Sequence, residues 1–289
     1  MLNIKNLVKV YPPNVRAVDD VSLTLERGVV GLIGHNGAGK TTLLDMLCTL
    51  SRPTAGQILF DGVDIVARPD AMRQRLGFLP QNFGAQANLT AQDFLAYLAA
   101  LKGVRDPARV RQCLELVNLQ DCARRRMTDF SGGMRRRLGI AQALLGDPDF
   151  VVVDEPTTGL DLDERMRFRA LMAELGRKKL VLISTHIVSD IENIASALLV
   201  MDRGKLLAQT EPQRLLAQLR GNIWSLSTTQ QHYEELRESV HVLHVLQHSG
   251  GVDLRLAHRE RPCAQALPLE PSLEDALLAF PRLNRESTA

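Results

Sequence analysis

Two short stretches of this chain hold residue types at spacings that suit phosphate chemistry. Gly34-His35-Asn36-Gly37-Ala38-Gly39-Lys40-Thr41, with Thr42 directly after, fits the pattern GxxxxGK[ST] and stands between an apolar run and a helical one. Glycines there let successive backbone N–H groups curve around phosphate oxygens, and the start of the following helix adds a fixed positive partial charge. Lys40 supplies a full charge to the same oxygens, and the Thr41 hydroxyl can ligate Mg²⁺. A glycine-rich turn without function is the plainer alternative, but Lys-Thr at a helix start has no packing rationale. Further along, Phe150-Val-Val-Val-Asp154-Glu155 is an apolar strand that ends in two carboxylates. A parallel sheet would set them at its C-terminal edge, beside the phosphate loop. Asp154 is then placed to hold Mg²⁺ through water, and Glu155 to orient or deprotonate an attacking water. An N-cap followed by an acidic first turn is the structural alternative for these two acids.

Positioning such residues takes a specific run of elements. Leu2 to Leu25 reads as two antiparallel strands, with period-two alternation in Val21-Ser-Leu-Thr-Leu25. Val29 to Ile33 is a continuous apolar run stopped by glycine, and Thr41 to Leu50 has apolar residues at helical spacing. From about Leu89 to Gln120 the pattern is helical, with Asp93–Leu101 and Pro107–Leu119 as two helices inserted between β-rich segments. Phe150–Val153 and Leu180–Ile183 alternate with helical stretches, as in a parallel sheet covered by helices. After about Gly221 the character changes. A strand at Asn222–Thr228, a helix at Gln231–Glu238, two short runs broken by Gly250-Gly251 and a final helix at Pro271–Phe280 make a small β-α-β-β-α extension. The division expected is 1–220 for the main domain, with a helical subdomain at about 85–145, and 221–289 for a small α+β domain.

Phe130-Ser131-Gly132-Gly133-Met134 lies between the two phosphate motifs and resembles the LSGGQ signature of ABC ATPases. The resemblance covers roughly residues 2 to 220 and includes four further elements in family order: Tyr11, Gln81 in Leu79-Pro-Gln, Gly159-Leu-Asp161, and His186 in Ser184-Thr-His. It implies an α/β P-loop NTPase fold of ABC type, a mixed sheet core with an antiparallel β subdomain and a helical subdomain. By the same resemblance, Tyr11 stacks on the adenine of ATP and Gln81 senses Mg²⁺ while linking to a partner. His186 contacts the γ-phosphate, and Asp161 reaches across a dimer interface. Ser131 and the amides of Gly132 and Gly133 form a second anion site at a helix start. In the family that site serves ATP held by the opposite copy, in a head-to-tail dimer beneath a separate polytopic membrane subunit.

The chain departs from the family pattern in three places: His35 replaces a frequent proline, Met134 the usual glutamine, and the turn at Glu26-Arg-Gly28 is about one residue short. Met134-Arg135-Arg136-Arg137 and Pro271-Ser-Leu-Glu-Asp275 resemble the branch that serves ABC-2-type and drug-resistance exporters. An importer subunit shares all this chemistry. A soluble ABC ATPase acting on DNA or ribosomes is the other alternative. It is disfavoured because the interval from Gln81 to Ser131 holds no long coiled coil and the chain has one cassette.

Composition agrees with a folded protein, at 45% hydrophobic and 24% charged residues, and a net charge of +2 gives no global attraction to nucleic acid. Four scattered cysteines, outside CxxC spacing, suggest reduced thiols in a cytosolic protein, and the resemblance implies a peripheral place on the inner face of the cell membrane. The first residues contain no continuous apolar segment of a signal peptide, and no window reaches the roughly 18 apolar residues of a membrane-spanning helix. Arg124-Arg125-Arg126 and Arg135-Arg136-Arg137 read as solvated helix faces or partner contacts. His241, His244 and His248 read as surface or half-buried side chains without acidic companions, Trp224 as a core residue, and Cys48 as packing.

Overall fold

The computed structural model describes residues 1–84, 88–237 and 239–286, with side chains inside the last helix described to 283. The first residues expected in the helical subdomain (85–87), Glu238 of the expected helix and the final three residues lie outside it. The chain divides into two compact units, Met1–Gln209 and Thr210–Ala289. The division falls ahead of the expected boundary at 220.

The first unit opens with two long strands, β1 (Leu2–Tyr11) and β2 (Val15–Leu25), followed by β3 (Gly28–Ile33), the glycine-rich loop and α1 (Lys40–Leu47). β4 (Ala55–Phe60), β5 (Val63–Asp64), α2 (Pro69–Arg75) and β6 (Leu76–Leu79) come next. Then α3 (Ala91–Leu101), α4 (Ala108–Leu116) and α5 (Gly132–Leu144) form the helical stretch. β7 (Phe150–Asp154), α6 (Leu162–Gly176), β8 (Leu180–Ser184), β9 (Ala197–Asp202) and β10 (Lys205–Thr210) complete the unit.

Two sheets result. The antiparallel one has the order β2-β1-β4-β5, and the other, six-stranded, runs β10-β9-β3-β8-β7-β6. β9, β3, β8, β7 and β6 are parallel neighbours, with Val30 opposite Leu182 and Val153 opposite Ile183. All five residues of β7 and all five of β8 are buried, which is why these strands read as unbroken apolar runs rather than alternating ones. Phe60, Phe150, Leu32, Leu43 and Leu182 belong to one apolar core. Helix starts are set by their side chains: Thr90 Oγ1 accepts from the Asp93 N–H at the head of α3, Ser131 Oγ from the Met134 N–H at α5, and Asp161 Oδ1 from the Glu164 N–H at α6.

The second unit contains α7 (Pro212–Leu219), β11 (Ile223–Thr228), α8 (Gln230–Leu236), β12 (His241–His248), β13 (Gly251–Ala257), β14 (Leu267–Pro268) and α9 (Leu273–Glu286). Its sheet has the order β12-β13-β11-β14 and packs Leu226, Val240, Val252, Leu254 and Leu256 into a core of its own, with Trp224 against it. Helix α7 lies in this unit, so the small domain begins before the glycine that the sequence suggests as its boundary. His244 and His248 do meet acids from other elements, Glu274 at 4.0 Å and Asp253 at 3.7 Å. Among the described residues no group of three or more His, Cys, Asp or Glu side chains gathers as a metal cage. No described helix is long and apolar enough to cross a membrane.

Candidate functional site

The loop between β3 and α1 folds tightly because its glycines adopt backbone angles closed to other residues. Gly39 has φ +99°, and a Cβ there would stand 2.3 Å from the Ala17 carbonyl oxygen. Helix α1 therefore begins at Lys40 with its first N–H groups turned toward the loop. Lys40 is 7% exposed, and its Nζ donates to the carbonyls of Gly34 at 2.7 Å and His35 at 3.2 Å. Burial holds its pKa below the usual lysine range, against the opposing pull of the Glu155 and Asp154 charges.

Asp154 closes β7, and Glu155 follows with φ +48°, a left-handed conformation that a non-glycine residue adopts at a cost of about 1–3 kcal/mol. Such strain persists only where neighbours enforce it. The Glu155 N–H donates to the Ser184 carbonyl at 2.8 Å, across to the end of β8. Burial raises the Asp154 carboxyl above its ordinary pKa, and the Glu155 charge adds to this. The Ser184 hydroxyl, Lys40 and Arg136 act the other way. His186 Nδ1 lies 2.7 Å from Glu155 Oε2 without hydrogen-bond geometry. The imidazole is 58% exposed and the carboxylate 9%, which leaves the histidine free to meet something larger.

Asn36, Gly37, Ala38, Gly39, Lys40, Thr41, Thr42, Tyr11, Gln81, Asp154 and Glu155 all line one cavity of about 340 Å³. Tyr11 is half-exposed, with Lys9 Nζ 5.0 Å from its ring centre. Thr41, Gln81 and Asp154 offer only oxygen donors, too few for an all-protein cage. That set suits Mg²⁺ shared with phosphate oxygens.

Ser131, Gly132 and Gly133 start α5 outside that cavity; Gly132 borders a second one, of about 360 Å³, together with Gln81 and Thr158. A Cβ at position 133 would meet Glu164 Oε2 at 2.1 Å, so that carboxylate would have to shift to admit one. Glu164 in turn lies 3.1 Å from Arg137 Nη2, tying α6 to the signature turn. The exposed Asp161 uses one carboxylate oxygen to cap α6.

Several contacts go beyond the sequence reading. His35 Nε2 lies 2.6 Å from Asp202 Oδ1, at the end of β9, which anchors the loop where the family often has proline. Thr157 Oγ1 donates to the buried Asp190. The reading of Arg135–Arg137 as a solvated face needs correction. Arg136 is 6% exposed and donates to five backbone carbonyls, those of Pro80, Gln81, Asp154, Glu155 and Pro156. Burial pulls its pKa down to about 10, opposed by the charges of Asp154 and Glu155. One signal was present: Gly133, Arg136, Ile140 and Ala143 repeat at the i, i+3, i+7, i+10 spacing of a buried helix face.

Comparison with known proteins identifies the family. Residues 18–158 match the family model described as ABC transporter. The ABC transporter ATP-binding protein NatA of Bacillus subtilis (strain 168) is 40% identical over 202 residues, covering 67% of this chain and 81% of NatA. A Nod factor export ATP-binding protein I of Cupriavidus metallidurans is 36% identical, over 75% of this chain and 73% of its own. The methionine import ATP-binding protein MetN of Corynebacterium efficiens is also 36% identical, over 71% and 61%. Among solved structures, the dimeric ATP-binding cassette MJ0796 bound to ADP and Pi superposes with a TM-score of 0.67 at 25% identity, over 73% of this chain and 98% of that one. With a phosphate loop, paired acids and signature turn on a shared α/β frame, the chain belongs to the family of ABC transporter ATP-binding proteins.

Proposed function

We infer that this chain binds and hydrolyses ATP as the nucleotide-binding subunit of an ABC transporter. In this reading two copies close head to tail over shared nucleotide and drive a separate polytopic membrane subunit from its cytoplasmic face. The observation that carries it is the meeting of Lys40, Thr41, Gln81, Asp154 and Glu155 on one cavity, while the Ser131–Gly133 turn stands outside it.

The roles follow from position. Lys40 and the amides from Gly34 to Thr42 grip the β- and γ-phosphates, and Tyr11 offers a ring face to adenine. Mg²⁺, held by Thr41, Gln81 and Asp154, would neutralise charge on those oxygens. Glu155 accepts a proton from the attacking water. His186, beside it, donates to the γ-phosphate. The second copy supplies the Ser131 hydroxyl, the Gly132 and Gly133 amides, and Asp161 at the seam. The dimeric form of the solved MJ0796 cassette supports this pairing.

Glu155→Gln tests the assignment: the variant should bind MgATP, lose about 100-fold or more of its turnover and accumulate as an ATP-bound dimer. Undiminished turnover would remove Glu155 from its role. Export of the ABC-2 type is supported by the similarity to the Nod factor export protein, by Met134-Arg135-Arg136-Arg137 and by Pro271–Asp275. The likeness to the methionine import protein favours a second reading, import. Co-purification of this chain with its membrane subunit, followed by transport in vesicles of known orientation, separates the two by the direction of ATP-driven movement.

A further inference from the structure

Among the described residues β6 is the edge strand of the six-stranded sheet, with no strand on its outer side. Helix α5 reaches the end of β6 and the two residues after it with two side chains. Gln142 Nε2 donates to the Phe78 carbonyl at 2.6 Å, and Arg136 Nη1 donates to Pro80 at 2.7 Å and Gln81 at 2.9 Å. Gln142 stops there. Arg136 goes on across the gap to the end of β7, where Nε donates to Pro156 at 2.9 Å and Nη2 to Glu155 at 2.6 Å and to Asp154.

The β6–β7 ladder runs from Leu76 opposite Phe150 to Leu79 opposite Val153 and then ends. Pro80 has no N–H with which to extend it. A planar guanidinium with five donors in a fixed fork bridges the strands where their own pairing stops. No other residue type could reach both sides with so many bonds. It also holds half of what fixes Glu155 in its left-handed conformation: the Glu155 N–H is tied to Ser184 and its carbonyl to Arg136.

Arg136 lies on the same helix as the signature turn, one turn beyond Gly133. One side chain on the signature helix thus holds the backbone of both Gln81 and Glu155. We propose that Arg136 is a positioning residue, which sets the Glu155 carboxylate and Gln81 in register with the helix that begins at the Ser131–Gly133 turn. The inference rests on the reading of Glu155 as the group that takes the water's proton.

The test compares Arg136→Lys, Arg136→Gln, Glu155→Gln, the Arg136→Lys/Glu155→Gln double variant and Gln142→Leu, each confirmed folded by its melting curve. Single-turnover and steady-state ATPase rates with Mg²⁺ are the readout. Arg136→Lys keeps the charge and loses the fork, so kcat should fall about 10- to 100-fold while KM for MgATP moves less than about threefold. In the Glu155→Gln background there is no carboxylate left to position, and the further loss should shrink below about threefold. Gln142→Leu removes only the edge cover, so it should lower the melting temperature while kcat stays within about twofold. If Arg136→Lys does not fold, Arg136→Gln, with two N–H donors on a shorter stem, is judged by the same split. Full kcat in the Arg136 variants beside a crippled Glu155→Gln, an equal loss in both backgrounds, or an effect confined to KM each overturns the positioning role alone. Full turnover in Glu155→Gln overturns that role and the assignment of Glu155 together.

Discussion

The two turns of the first unit proposed to meet phosphate, Gly34–Thr41 and Ser131–Gly133, use the same device and end in different states. Each sets backbone amides at the head of a helix, α1 or α5. The first adds a buried lysine and opens on a cavity with two acids. The second adds a hydroxyl; of the three arginines that follow on its helix, Arg136 turns away to hold backbone carbonyls, Arg137 meets Glu164, and Arg135 borders the cavity that Gly132 lines. In the proposed function the buried lysine lets the first turn hold a triphosphate unaided. The second turn stands outside that cavity, and in the proposed function it adds to a phosphate that Lys40 of another copy already grips, as a half-site.

That contrast can be broken at several points. Removing the cation should do most: Lys40→Ala is expected to weaken ATP binding about 100-fold, as read by fluorescent-nucleotide titration. Ser131→Ala should leave that binding within about twofold and lower kcat about 10-fold, because its hydroxyl enters only when two copies close. If Ser131→Ala weakened nucleotide binding by the separate chain as much as Lys40→Ala does, the distinction between the turns would fail.

The second unit provides the smallest expected effect on ATPase. Its buried Asp275 accepts from Arg255 Nε at 2.5 Å and from the Ser272 N–H at 2.6 Å. Burial alone would raise this carboxyl, but Arg255 and Ser272 outweigh it and hold the pKa below the usual range. A lowered folded pKa means the contribution is present above the unfolded value and fades as pH falls toward the folded one. Asp275→Asn should therefore cost this unit about 2 kcal/mol near neutral pH. Its melting difference from the parent should shrink as pH drops below about 3.9, with ATPase rates at neutral pH unchanged.

How legible these features are depends on what each asks of the sequence. The phosphate loop and the Asp154-Glu155 pair are local: a few consecutive residues fix both backbone path and chemistry, so spacing alone reveals them. The parallel core is legible for a similar reason, since strands buried on both faces read as apolar runs. Arg136 is different. A run of three arginines looks solvated, and only the helical phase of Gly133, Ile140 and Ala143 shows that the middle one faces inward. Its five acceptors are backbone atoms of two other segments, which carry no side-chain signature. The His35–Asp202 contact and the Glu164 carboxylate over Gly133 join residues far apart in sequence, and both arise from the register of strands and helices that composition does not encode. The same holds for α7, whose pattern marks a helix without saying which unit it packs into.

Mixing two inactive variants tests the shared site most directly. Lys40→Ala copies keep an intact Ser131 turn, and Ser131→Arg copies keep an intact phosphate loop. If each site is built from both, a mixed dimer regains one working site of two, so an equimolar mixture should recover about one quarter of the parental ATPase rate. A mixture that never exceeds the sum of the two separate variants would contradict the account.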